Sequence, residues 1–175
     1  MADAHVIRIE PAMAVMTPLA LASFSHHIFN MCSDYGTENK GFLAQSYLFC
    51  VSIELGLKAA IVAIDCNDES KKLIKSLGHD LIAVHDCFKK HYQKQIFDQS
   101  DFDVLESVNA HYHRKGMEYF SPQVMLSMMR AYKDFSSLEE LHQTAAKLNG
   151  FLNENELFVE ANTTTKAKRG IITFI

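Results

Sequence analysis

The chain has 175 residues, 48% of them hydrophobic and 22% charged, with a formal net charge of −4. That length fits one domain able to bury roughly 70% of its unfolded surface, and the apolar content, with 12 Phe, 6 Tyr and 8 Met, excludes intrinsic disorder. Seven glycines and three prolines are too few for the frequent turns of a many-stranded sandwich or barrel, and the acidic balance speaks against a general polyanion-binding surface.

Long helices are expected instead. Pro18 suits the first turn of a helix from about Thr17 to Asp34, with Thr17 as its cap and Gly36 beyond its end. Pro11 to Phe24 is apolar, but Asp3 and Glu10 precede it and Pro18 interrupts it, so it is not read as a secretion signal. A second helix is expected from Lys40 to Asp65, with Leu43, Tyr47, Val51, Leu55, Ile61 and Ile64 as its core-facing stripe. Phe42 to Ile64 is long enough to span a bilayer, yet Glu54 and Lys58 near its centre are costly in lipid. The expectation is a buried helix of a cytoplasmic protein with no membrane partner.

Asn67 to Ser70 reads as a cap or loop before a short helical turn at Lys71–Ser76. After the break at Gly78, Asp80 to Gln95 is a third long helix with Leu81, Val84, Phe88 and His91 or Tyr92 on one face. A fourth spans Asp101 to Tyr112, capped by Ser100 or Asp101, with Phe102, Leu105 and Val108 inward. Gly116 to Ser121 reads as a loop before Pro122, and Gln123 to Tyr132 as a short helix. Ser136 and Glu139 fit a capping box opening a fifth long helix, which continues to Leu148 and is closed by Asn149-Gly150. Residues 1–150 thus form an expected all-α, up-and-down bundle of four to five long helices. Residues 151–175 are an appendage whose β-prone runs, Leu157-Phe158-Val159 and Ile171 to Ile175, suit a hairpin or strands pairing across a dimer.

Three local patterns carry chemistry. Glu54-x-x-x-Lys58 lies in an otherwise apolar helix, where the spacing puts both charges on one face. It reads either as a structural ion pair or as a site where Lys58 meets phosphate and Glu54 positions it. Gly78-His79-Asp80-Leu81 supplies a cap for the next helix, or a histidine titrating beside an aspartate as proton donor or anion ligand. From Asn109 to Lys115, His111, His113, Arg114 and Lys115 surround Tyr112. Phosphate contact by Arg114 and Lys115 with stacking on the ring is one reading; a solvated helix end is the other.

The nine histidines show neither HExxH nor zinc-type spacing with cysteine, so no metal is expected. Cys32, Cys50, Cys66 and Cys87 include no CxxC and read as reduced thiols. GxGxxG, GxxxxGK[ST] and GxSxG are missing from the sequence, so neither a nucleotide-binding α/β fold nor a serine hydrolase is expected, and no cofactor is assigned.

The order of Glu54-Leu55-Gly56-Leu57-Lys58, Gly78-His79-Asp80-Leu81 and Asn109-x-x-Tyr112, followed by Glu118-Tyr119 and Pro122, resembles the HEPN superfamily of small helical bundles over Phe42 to Pro122. The resemblance implies a homodimer, and a role in RNA cleavage, in toxin–antitoxin pairs beside a small nucleotidyltransferase, or in defence against phage. The ribonuclease members carry an arginine followed, after four to six residues, by a histidine. No histidine stands at that distance after Arg8, Arg114, Arg130 or Arg169, and Glu118-Tyr119 stands where the family has Arg-Tyr. The expectation is therefore a module with no catalytic residue, binding a partner protein, a nucleotide or RNA. Glu54, Lys58, His79, Asp80, Asn109 and Tyr112 would line one cleft. The alternative is a metal-independent ribonuclease using His79 or His111 with Lys58 or Arg114.

Overall fold

Six helices account for most of the computed structural model, which describes residues 17–34, 42–64, 68–92, 95–114, 117 and 137–154. They are α1 (Pro18–Asp34), α2 (Phe42–Ile64), α3 (Asp68–Ser76), α4 (Leu81–Tyr92), α5 (Gln99–Tyr112) and α6 (Leu138–Glu154). The fold is an all-α bundle, with no strand among the described residues. Cys66, Lys115, the stretch from Gly116 to Tyr132 apart from Met117, and the β-prone tail lie outside them.

Helix α2 packs against each of the other five. Being surrounded, it buries more than one stripe: Phe49, Cys50, Ile53, Leu57, Ala60 and Ile61 are almost fully enclosed. The expected stripe is a correction here, since Leu43, Tyr47, Val51 and Leu55 are only partly buried and Ile64 is 43% exposed. A helix at the centre of a bundle has no polar side, so its periodicity marks a face poorly. Leu43–Ile64 is long and apolar enough to cross a membrane; in the bundle much of its surface is covered by the other helices.

Small residues let α1 and α6 close onto α2. The Ser25 hydroxyl donates to the Ser52 carbonyl at 2.7 Å, and the Ser52 hydroxyl donates back to the Ser25 carbonyl at 2.8 Å. One turn further along α2, Gly56 sits beneath Leu148 and Leu152 of α6.

The helix ends show which local signals were read in register. Thr17 caps α1, its hydroxyl accepting from the Ala20 amide at 3.1 Å. Helix α3 begins at Asp68, inside the expected loop, because Asp68 and Glu69 favour its first turn and Lys75 its last. The cap of α5 is Asp98, not Ser100 or Asp101. It exchanges bonds with Asp101 in a capping box: the Asp101 amide donates to Asp98 at 3.1 Å and the Asp98 amide to Asp101 at 2.9 Å. The box opening α6 is Ser137 with Glu140, one residue later than expected. Helix α6 also runs past Asn149-Gly150, because Phe151 and Leu152 beyond it are buried.

Candidate functional site

Glu54 and Lys58 lie one turn apart on α2, and their side chains are only 7% and 11% exposed. Lys58 Nζ donates to Glu54 Oε1 at 2.7 Å. Its second partner is the Gly78 carbonyl at 2.6 Å, presented by the turn that leaves α3. Gly78 has φ +58°, a left-handed conformation that a residue with a Cβ adopts only under strain. That turn brings the next two residues, His79 and Asp80, over the end of the ion pair.

His79 Nδ1 lies 3.0 Å from Glu54 Oε2, and the Tyr112 hydroxyl donates to the same oxygen at 2.6 Å. The His79 and Tyr112 rings meet edge to face with centroids 5.9 Å apart, and Tyr47 packs on Tyr112 at 5.8 Å. Burial raises the Tyr112 hydroxyl's pKa, and the Glu54 charge and hydrogen bond raise it further, so Tyr112 stays a proton donor. Both carboxylate oxygens of Glu54 are thereby engaged, which is what a buried charge needs.

Asp80 opens α4. Its Oδ1 accepts from the Ile82 and Ala83 amides, each at 3.1 Å, and from Asn109 Nδ2 at 3.0 Å. Asn109 Oδ1 in turn accepts from the Leu81 amide at 2.9 Å, so α5 shares in capping α4. Burial pushes the Asp80 carboxyl up, but the Ala83 amide, Asn109, the nearby His113 and the Ile82 amide outweigh it and hold Asp80 below its ordinary value. His113 Nδ1 is 3.9 Å from Asp80 Oδ2.

The six residues singled out from the sequence therefore converge at the meeting point of α2, the α3–α4 turn and α5. Glu54, Lys58, His79 and Tyr112 form one connected hydrogen-bonded group, and Asp80 with Asn109 forms a second group joined to it through His79-Asp80. Among the described residues the arrangement is a packed cluster with one edge more exposed. Side-chain exposure rises from Glu54 and Lys58 to Asp80 at 32%, His79 at 40% and His113 at 53%. Arg114 follows on the surface; Lys115 lies outside the described residues. Two members lie beyond the six residues expected in the cluster. The Gly78 carbonyl is backbone, and His113 shares the cluster because it stands four residues beyond Asn109 on the same face of the chain's helical path.

Chemically, with the Glu54 carboxylate accepting from Nδ1 of His79, Nε2 is the ring nitrogen that faces a guest. Among the described residues no three His, Cys, Asp or Glu side chains are grouped to hold a metal ion. The chain matches no family model, no curated protein and no solved structure.

Proposed function

We propose that this protein is a non-catalytic, HEPN-like helical module that binds RNA through the exposed edge of the cluster, where His79, His113 and Arg114 face solvent. The observation that carries the reading is the graded burial. Glu54, Lys58 and Tyr112 are buried and bonded to one another, to His79 and to the Gly78 carbonyl, so they hold the edge in place. The exposed imidazoles and guanidinium are the groups left for phosphate, and a net acidic chain confines such contact to this local patch. In line with the resemblance, the module would act in the cytoplasm as a homodimer, beside a nucleotidyltransferase-like partner in a toxin–antitoxin or defence pair.

A second reading is favoured by one contact. The Glu54–His79 pair orients an imidazole as a general base is oriented, which suits a metal-independent ribonuclease. Fluorescence anisotropy with labelled single-stranded and hairpin RNA, followed by gel analysis of the same samples, separates the two. The binding module gives salt-sensitive binding, RNA of unchanged length, and a salt slope reduced by about one for Arg114→Ala. Chelator-resistant shortening of the RNA, lost in His79→Ala, would establish the ribonuclease instead. Absence of both binding and cleavage rejects both readings.

A further inference from the structure

A second feature lies apart from this cluster. The middle of α4, residues 95–98 and the first turn of α5 surround a pocket of about 190 Å³. Ile96, Phe97 and Phe102 give it apolar walls. His85 is built into the wall, with its side chain only 11% exposed and its ring centroid 5.7 Å from Phe97 and 5.5 Å from Phe102. Its buried Nδ1 lies 3.4 Å from the Asp86 carboxylate without making a hydrogen bond. Burial lowers the pKa of this imidazole more than Asp86 raises it, so near neutral pH the ring is uncharged and offers one donor and one acceptor. Apart from this contact with Asp86, the buried imidazole makes no hydrogen bond among the described residues, which leaves the wall open to a polar guest.

The rim supplies opposite charges. Asp86 and Lys89 stand three residues apart on α4, both exposed, and they form no ion pair with each other; Gln95 adds an amide. The other polar lining groups are spent: Asp98 accepts from Ser100, Asp101 and Lys147, and Gln99 donates to Asp103. The volume lies below the ~300–1,000 Å³ of sites for drug-sized ligands, which argues against a nucleotide and favours a small metabolite. A simple amine or a simple carboxylate would use only one of the two rim charges. A zwitterion uses both.

We propose that this pocket binds a free α-amino acid with an apolar side chain. Asp86 receives its ammonium, Lys89 and the Gln95 amide its carboxylate, and Phe97, Phe102 and Ile96 its side chain, with His85 completing the polar contacts.

Isothermal titration calorimetry on the full chain tests this, using L-leucine and L-phenylalanine against 4-methylpentanoate and 3-methylbutylamine, which each keep one charge. The expected result is binding of an amino acid in preference to either single-charge analogue. Asp86→Asn and Lys89→Ala are surface changes that leave the fold intact, and each should weaken binding about tenfold, as loss of one charged hydrogen bond does. No measurable heat with either amino acid overturns the proposal. So does equal binding of the analogues, or affinity unchanged in both variants.

Discussion

The Glu54 carboxylate is the residue on which the cluster turns, since Lys58, His79 and Tyr112 all bond to it. Tyr112→Phe removes one buried donor and leaves Glu54 Oε2 with His79 alone, so urea denaturation should show a loss of about 1–3 kcal/mol. Glu54→Ala strands Lys58 as a buried, unpaired charge and should cost more, about 3–5 kcal/mol. An isolated buried ion pair can often be exchanged for apolar side chains without loss. Here Glu54→Leu with Lys58→Met would also orphan the Tyr112 hydroxyl and the Gly78 carbonyl, so the double variant should be less stable than the parent. Stability equal to the parent would return Glu54 and Lys58 to the role of a simple helix pair. The pH response follows from Asp80 and His85. Both have folded pKa values below their unfolded ones, so each contributes stability that is present above the unfolded value and lost as the pH falls through the folded one. His85 acts as the pH drops below about 6.5 and Asp80 below about 4. Thermal melts from about pH 7 down to about pH 3 should show a decline whose upper part His85→Leu flattens, while Asp80→Asn flattens only the part below about 4.

At the scale of helices, close approach is set by what α2 lacks. A Cβ on Gly56 would lie 2.8 Å from Leu148 Cδ2, 2.9 Å from Ser25 Oγ and 3.1 Å from Leu152 Cδ1. Leu148 is fully buried and the Ser25 hydroxyl is tied to Ser52, so neither can move aside cheaply. Gly56→Ala gains up to about 1 kcal/mol of helix propensity and incurs about 1–3 kcal/mol of overpacking, a net loss visible as a lower urea midpoint. Gly150→Ala, on a helix with open space around that position, should gain the propensity and raise the midpoint. This contrast also explains what the sequence disclosed. Breakers at Pro18 and Gly78 fall where the chain does start or turn, because proline's fixed φ and glycine's left-handed φ act locally. Gly150 looked like an end and is not one, because burial of Phe151 and Leu152 is a tertiary gain that no local signal announces. Neighbouring acceptors, Asp98 beside Ser100 and Asp101, or Ser136 beside Ser137, offer near-equal caps, and packing decides among them. Asp98 prevails where Lys147 and Thr144 of α6 reach the same capping box. The charged and amide residues of the cluster were legible because each interrupts an apolar pattern. The pocket around His85 was not, because its histidine lies on a face that otherwise reads as core.

For the whole molecule, the central position of α2 makes one helix the gauge of global folding. Cys50 lies on it with no exposed surface, and burial, reinforced by the Glu54 charge, pushes its thiol far above the usual range. Cys32 on α1 is also buried, its thiol pushed up to about 11, whereas Cys87 on α4 is only half-buried. The thiolate is the reactive form, so among the described cysteines of the native protein a thiol reagent should label Cys87 well before Cys32 and Cys50, as read by mass spectrometry of the peptides. The dependence on urea is the sharper measurement. Because α2 contacts all five other helices, Cys50 cannot be exposed by fraying one of them, and its labelling should require the global transition. Cys32, at the end of α1, needs only that helix to detach. A free energy of opening at Cys50 equal to that from urea denaturation, with a smaller one at Cys32, is the expected outcome. Equal and small values at both would mean that α1 and α2 open together as a hairpin, through the Ser25–Ser52 contact, while the remaining helices stay folded.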